Sequence, residues 1–217
     1  MATFDGYTHK KSSLRTKAAF LSAFLSLMRQ KNFDEISVSD LIKGAGYSRT
    51  TFYSYYQDKF DMVEKIVDEE AVDFVNAICG PIPNDAVMKF DSKMFLPGLS
   101  LFRHVAQRKD LYYFLIHNML PGYSMDFFCR KTSKVFHSII SIEITDHSMS
   151  ELNFDLYCYI TTDTYLSFIK YWELHDFSFS PEYMAEQMMT NWINVKKVSS
   201  VSVKTMPPAF NILEALG

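Results

Sequence analysis

Residues that break helices are scarce in this 217-residue sequence, which contains only seven glycines and seven prolines. All-β proteins and low-complexity linkers use both residues freely, so neither kind of chain is expected. Cysteine is also rare. Cys79, Cys129 and Cys158 are far apart and form no CxxC pair, which indicates reduced, buried thiols without disulfides or a metal site.

Long hydrophobic runs are missing as well. No segment approaches the roughly 18 uninterrupted apolar residues of a membrane-spanning helix, and the first eleven residues lack the apolar stretch of a secretory signal. Hydrophobic residues nevertheless make up 48% of the chain, enough for a sizeable core. We therefore expect a cytoplasmic protein that is rich in helices and does not bind a membrane.

Enzyme motifs are absent too, since the sequence has no GxSxG, HExxH or GK[ST]. Gly44 and Gly46 do not begin a dinucleotide-binding loop, because Arg49 occupies the third glycine position and no strand precedes them. His104 and His117 have no metal-ligating partner at helical spacing. We expect no catalytic residues, no metal and no cofactor.

Charge is distributed unevenly along the chain. Residues 1–60 carry nine Lys or Arg and five Asp or Glu, a net +4, whereas the remainder nets −7. A basic end on an acidic body is typical of a protein whose one end faces nucleic acid. Because the excess is small, an ordinary solvated surface with a chance asymmetry remains the alternative.

The stretches between the Gly and Pro clusters have helical periodicity. In the first stretch, at about 12–31, apolar residues recur every three or four positions, and three more widen the stripe: Leu14, Ala18, Leu21, Leu25 and Met28, with Phe20, Phe24 and Leu27. This pattern predicts a helix that packs on more than one side.

Three short signals predict the next helices. Ser37 with Asp40 approximates a capping box for a second helix, which Gly44 and Gly46 end within two turns. Ser48 caps a third helix, and Asp58 caps a fourth that extends to about residue 78.

Further helices are predicted at about 93–107, 110–120, 124–142, 150–175 and 180–198. The chain is therefore expected to be all-α, with about nine helices: a helix–turn–helix domain at 1–65 and a larger helical domain at 66–217. The tail after Val198 fits either a short strand or a loose arm.

The second and third helices, joined by a tight glycine-containing turn, have the arrangement of a DNA-binding helix–turn–helix. Phe52 and Tyr56 are four residues apart and are expected to face the first helix. The opposite side carries hydrogen-bonding groups suited to base edges and phosphates: Ser48, Arg49, Thr50, Thr51, Tyr53, Ser54 and Tyr55. An ordinary helical hairpin with a hydroxyl-rich surface is the alternative.

The run from Ile36 to Phe60 resembles the signature of the tetracycline-repressor (TetR) family, A-G-x-S-x-x-T-[FL]-Y-x-[HY]-[FY]-x-x-K. The residues in register are Gly46, Thr51, Phe52, Tyr53, Tyr55, Tyr56 and Lys59. With the preceding helix, the resemblance covers about residues 12–66.

The resemblance implies that one group of residues holds the DNA backbone: Thr51, Tyr53, Tyr55 and Lys59. It implies that Arg49 and Thr50 approach bases. Ser39 stands where some members have a base-contacting Arg, so that contact is weak or absent here. A bacterial, nucleoid-associated regulator is implied, more often a repressor, that binds a palindromic operator as a homodimer and is released by a small effector.

The resemblance also implies dimerisation through the last two long helices. Both have apolar bands, whose candidate interface residues are Leu152, Leu156, Tyr159, Leu166, Trp172, Met184, Met188 and Trp192. Packing of these bands within one chain is the alternative.

An effector pocket for a small apolar or aromatic molecule is expected among the central helices. Its candidate lining is Tyr112, Tyr113, His117, Phe127, Phe128, Tyr157, Thr161 and Tyr165. For each of these residues, packing in the core is the competing role. If the core were solid, the second domain would instead bind another protein, and the chain would be a constitutive DNA anchor.

Overall fold

The computed structural model describes residues 3–81, 95–117, 124–139 and 153–195, and of these it leaves out the side chains of residues 3–12 and 192–195. All regular structure in these ranges is helical, which confirms the all-α prediction. The helices are α1 (Thr3–Met28), α2 (Val38–Ala45), α3 (Arg49–Tyr55), α4 (Lys59–Cys79), α5 (Phe95–Ala106), α6 (Lys109–Ile116), α7 (Met125–Ile139), α8 (Phe154–Leu174) and α9 (Pro181–Val195). None of them is long and apolar enough to cross a membrane.

Four helices begin at the capping residues that the sequence predicts. Ser37, Ser48 and Asp58 are the N-caps of α2, α3 and α4, and the Tyr183 N–H donates to Ser180 Oγ at the start of α9. Helix α1 begins at Thr3, earlier than predicted, because only Gly6 interrupts its first turns and an isolated glycine costs a helix only about 1 kcal/mol. The predicted ends of the helices at 118–120, 140–142, 150–152 and 196–198, and the tail, lie outside the described residues.

Helix α4 is the element shared by both parts of the molecule. It is continuous from Lys59 to Cys79, so the boundary predicted after residue 65 falls inside a helix. Its buried side packs on α5 and α7. A second connection lies between α1 and α6, where the rings of Phe24 and Phe114 meet edge to face at 5.5 Å. The N-terminal helices and the larger lobe thus share one continuous core.

The lobe packs in two pairs of helices, α7 with α8 and α5 with α9. Gly98 on α5 lets the second pair approach closely, since a Cβ atom there would lie 2.4 Å from Met188 Cε. Trp172 on α8 is buried and meets the Phe102 ring of α5 at 5.7 Å. These contacts decide which sides of α8 and α9 are available to a partner.

Candidate nucleic-acid interface

Helix α2 is held by the capping box that the sequence predicts. The Asp40 N–H donates to Ser37 Oγ (3.1 Å), and the Ser37 N–H donates to Asp40 Oδ2 (2.9 Å). Lys31 Nζ also donates to Asp40 (2.8 Å), and this bond, with those from Ser37, lowers the pKa of the Asp40 carboxyl. The start of α2 is therefore fixed to the end of α1.

Glycine is required at the turn between α2 and α3. Gly46 is the C-cap of α2, with a φ of 71°, in the left-handed region that other residues rarely adopt. Two residues later Ser48 starts α3: its Oγ accepts from the Thr51 N–H (3.1 Å) and lies 2.8 Å from Thr51 Oγ1. These local bonds set the angle between the two helices.

The back of α3 is buried against α1. Phe52 is fully buried, and its ring meets Phe20 edge to face at 5.4 Å. Tyr56 meets the same Phe20 ring at 5.9 Å, and burial raises the pKa of its hydroxyl. The predicted inward direction of Phe52 and Tyr56 is confirmed.

The front of α3 faces solvent. Arg49, Thr50 and Ser54 are exposed, and 48% of Tyr53 is accessible. The Arg49 guanidinium lies 5.8 Å from the centre of the Tyr53 ring, so the two side chains lie together on one surface. Guanidinium, hydroxyl and phenol groups are the donors and acceptors used on base edges and phosphates.

The remaining α3 candidates lie at the edges of this surface. Ser48 is exposed but its hydroxyl is engaged with Thr51. Thr51 and Tyr55 are half-buried. Ser39, on α2, is exposed. We define the α3 surface as the exposed side chains of Arg49, Thr50, Tyr53 and Ser54.

The Lys59 ammonium makes contacts within the protein, whereas the resemblance implies a contact with the DNA backbone. Its ammonium donates to three backbone carbonyls before α2: Phe33 O (2.9 Å), Asp34 O (3.2 Å) and Ile36 O (2.9 Å). It also lies 4.4 Å from the centre of the Phe33 ring. An ammonium has three donors, and all three have partners here. A DNA phosphate would have to compete with these carbonyls.

The sequence reasoning passed over Lys43. It is exposed in the last turn of α2, four residues after Ser39, and residues with that spacing share one side of a helix. The four-residue spacing of Ser39 and Lys43 is enough to predict that they share one side of α2. Lys43 adds a positive charge to the side of α2 that carries Ser39.

The candidate effector residues are only partly brought together. Tyr112, Phe128 and Tyr165 are buried, and all three contact one another directly or through Phe74, at ring distances of 5.8–6.4 Å. Tyr112 also donates to the buried Glu70 (2.7 Å). These rings pack as core, the competing role.

The other candidates are dispersed. Tyr113 and His117 are exposed. Their rings are tilted against each other with centres 4.3 Å apart, and His117 Nε2 lies 2.9 Å from Glu173 Oε1. The central helices therefore do not enclose these two side chains. Half-buried positions are found for Phe127, Tyr157 and Thr161. Two clefts lined by described residues, of about 680 and 340 Å³, contain none of the eight candidates.

Four of the eight candidate dimer residues are buried within a single chain, which corrects their assignment to the interface. Leu166, Trp172, Met184 and Met188 lie in the core of a single chain, because α5, α6 and α7 cover those sides of α8 and α9. The sequence could not reveal this, since α8 is apolar on several sides.

Leu156 and Tyr159 are exposed, as a dimer interface requires. Leu152 and the Trp192 side chain lie outside the described residues. Exposed apolar residues that the sequence analysis missed extend the same surface: Ile160, Tyr171, Leu174 and Tyr183. With Leu156 and Tyr159 they form what we call the α8–α9 surface.

Comparison with known proteins gives matches in both parts of the chain. Residues 20–66 match the family model described as bacterial regulatory proteins, tetR family, and residues 98–194 match that of a transcriptional regulator C-terminal region. The chain is 46% identical over 52 residues to the HTH-type transcriptional regulator EthR of Mycolicibacterium smegmatis. That match spans 24% of each protein, so the chain matches about a quarter of the relative's length.

Solved structures share the whole fold at low identity. A putative TetR-family regulator from Syntrophomonas wolfei has a TM-score of 0.63 at 16% identity, covering 88% of this chain and 100% of its own. FadR from Bacillus subtilis, in complex with stearoyl-CoA, has a TM-score of 0.61 at 16% identity, with coverages of 85% and 99%. Two consecutive family models, which together match about two thirds of the residues, show that the chain belongs to the TetR family of DNA-binding transcriptional regulators.

Proposed function

We propose that the protein is a dimeric repressor that binds a palindromic operator and is released by a small-molecule effector. The observation that carries the proposal is the division of α3: Phe52 is fully buried against α1, while Arg49 and Tyr53 are exposed on the other side. A helix fixed from behind, with a polar convex front, can enter a major groove without rearranging its domain.

Within the proposal, Arg49 and Thr50 contact base edges. Contacts to the DNA backbone come from Ser48, Thr51, Tyr53, Ser54 and Tyr55, and Ser39 contributes little because its side chain is short. Arginine suits a base contact because its fork can donate twice to guanine. Residues 1–65 would form the DNA-binding domain and residues 66–217 the effector and dimer domain.

The α8–α9 surface supports the homodimer. It exposes six large apolar side chains, and Leu174 alone is 74% accessible. Burying such a surface against a second copy would remove apolar area from water. Two-fold symmetry would then place two α3 helices about one turn of DNA apart, roughly 34 Å, as a palindrome requires.

Release by an effector would act through α4, since that helix belongs to both parts of the chain. A small shift of α4 changes the separation of the two α3 helices in the dimer. The effector must bind the released state more tightly than the DNA-bound state, and couplings of about 1–3 kcal/mol are typical.

A second candidate function is favoured by the packing of Tyr112, Phe128 and Tyr165. Because these rings fill the centre of the lobe as core, the lobe could bind another protein and no effector. The chain would then be a constitutive DNA anchor.

Selection of bound DNA from a random library by the full chain tests the proposal. We expect an inverted repeat, bound by two chains, with half-sites about one helical turn apart. Enrichment of no sequence, or of a single half-site bound by one chain, would refute it. The selected DNA then separates the two candidates: release by a compound from a metabolite library supports the repressor, and DNA affinity unchanged by every compound supports the anchor.

A further inference from the structure

An apolar stripe of α1 is only partly covered in the structure. Leu14, Ala18, Leu21 and Leu25 recur at helical spacing, which in a helix predicts burial in a core. The core is instead formed by the neighbouring side of α1, with Phe20 and Phe24. Leu14 is 60% accessible, Ala18 is exposed, and Leu21 and Leu25 are half-buried.

This stripe forms one wall of a cleft of about 680 Å³ between the two parts of the chain. The opposite wall comes from α4, through Ile66, and from the α5–α6 connection, through Ala106 and Leu111. A volume of roughly 300–1,000 Å³ with mainly apolar walls is usual for small-molecule sites. The space has the volume of such a site, and its lining combines these apolar side chains with charged and polar ones.

Charged groups surround this cleft, and its acids are matched by bases. Lys17 pairs with Glu69 across the gap between α1 and α4, and Arg29 pairs with Asp110 of α6. Arg108 donates to Asp73 (3.0 Å) and to Glu70 (2.7 Å). Because these acids are paired with bases, they repel an incoming anion less strongly than unpaired carboxylates would.

Lys109 is different from these bases. Its ammonium donates to the Phe177 carbonyl at 3.2 Å, and within the described ranges no Asp or Glu forms an ion pair with it. Two of its three N–H donors remain available to a ligand in the cleft that it lines. An anion is the ligand group that accepts hydrogen bonds from these two donors most strongly.

We propose that the cleft between α1, α4 and the α5–α6 connection binds a small amphipathic anion, with its apolar body on the α1 stripe and its charged head on Lys109. The ligand would touch the DNA-binding helices and the lobe at once. The proposal rests on the proposed function in one respect: it places the effector of that function here and not among the central rings.

Two fluorescent probes with the same aromatic rings test the site on the full chain without DNA. 1-Anilinonaphthalene-8-sulfonate carries an anionic group, and N-phenyl-1-naphthylamine does not. We expect each probe to bind once per chain. Ala18→Trp, which fills the cleft from an exposed position, should weaken both by about tenfold or more.

Lys109→Gln tests the contact with the charged head of the ligand separately from the contact with its apolar body. We expect it to weaken the sulfonate probe about fivefold, because a charge-assisted hydrogen bond is lost, and to leave the neutral probe within about twofold. Lys134→Gln, on the exposed side of α7, is the control for charge. Ser138→Trp, at an exposed position of α7, is the control for an added tryptophan.

The proposal is overturned if neither probe binds, if binding survives Ala18→Trp, or if Ser138→Trp weakens binding as much as Ala18→Trp does. Equal effects of Lys109→Gln on both probes would overturn the assignment of the charged head. Lys109→Gln changes an exposed side chain, so it keeps the test valid even if Ala18→Trp does not fold. None of these outcomes depends on DNA binding, so failure of the DNA selection is a separate result.

Discussion

The substitution Lys59→Met shows whether the Lys59 ammonium binds DNA or stabilises the folded protein. The family resemblance implies a phosphate contact at this position, whereas the structure shows the ammonium on three carbonyls of the α1–α2 connection. Methionine keeps most of the apolar stem beside the Phe33 ring and removes only the charge and its donors. The substitution therefore isolates the role of the ammonium.

The expected loss of stability follows from two of the three bonds. Those to Phe33 O and Ile36 O are 2.9 Å long and partly buried, whereas the Asp34 carbonyl is exposed and water can replace its partner. A hydrogen bond from a charged donor contributes about 1.5–3 kcal/mol, and solvent screening places this pair at about 2–3 kcal/mol in total. For a chain of this size, that lowers the melting temperature by about 4–12 °C.

Chemical denaturation and DNA titrations at several salt concentrations measure the two roles separately. We expect Lys59→Met to lower the free energy of unfolding and leave the salt dependence of DNA affinity unchanged. Lys134→Met, at an exposed position of α7, is the control and should change neither. The structural role is refuted if the unfolding free energy stays within about 0.5 kcal/mol while the salt slope falls by about one phosphate contact.

Two further predictions concern the lobe. Glu70 is 1% accessible and bonded to His104, Arg108 and Tyr112 at 2.7 Å each, so Glu70→Ala should cost about 3–5 kcal/mol of unfolding free energy; in the same denaturation assay, a cost no larger than that of the exposed Glu69→Ala would contradict this. Leu174→Asp should convert the proposed dimer to a monomer in analytical ultracentrifugation. Leu166→Ala should cost about 2–5 kcal/mol of stability and leave the proposed dimer intact. The reverse pattern would refute the α8–α9 surface.

The DNA-binding part could be predicted from the sequence because its signals are local. Ser37 with Asp40, and Ser48 with Thr51, act on backbone groups three residues away. The spacing of Phe52 and Tyr56 fixes which side of α3 is buried as soon as α3 is a helix. Each of these features depends on neighbours in the chain and not on the path of the whole chain.

The lobe depends on contacts between distant parts of the chain, and there the sequence was less informative. Leu166 and Leu174 are both apolar residues of α8, yet only the placement of α5, α6 and α7 makes one core and the other surface. The bonds of Glu70 join α4 to residues more than 30 positions later. No periodicity in the sequence encodes such a pairing.

The same limit applies to α1. Its sequence contains apolar residues on two sides, and periodicity cannot tell which side the protein covers and which it leaves to a cleft. The structure assigns Phe20 and Phe24 to the core and Leu14 to the cleft.

The central claim is that the α3 surface recognises DNA sequence, and parallel selections with the native chain and with Arg49→Ala test it most directly. Arg49 is exposed and contributes nothing to the buried side of α3, so the variant should fold normally. We expect Arg49→Ala to lose preference at one base position of each half-site, at a cost of about 1–3 kcal/mol for the native sequence. An identical preferred sequence from both proteins would contradict the claim.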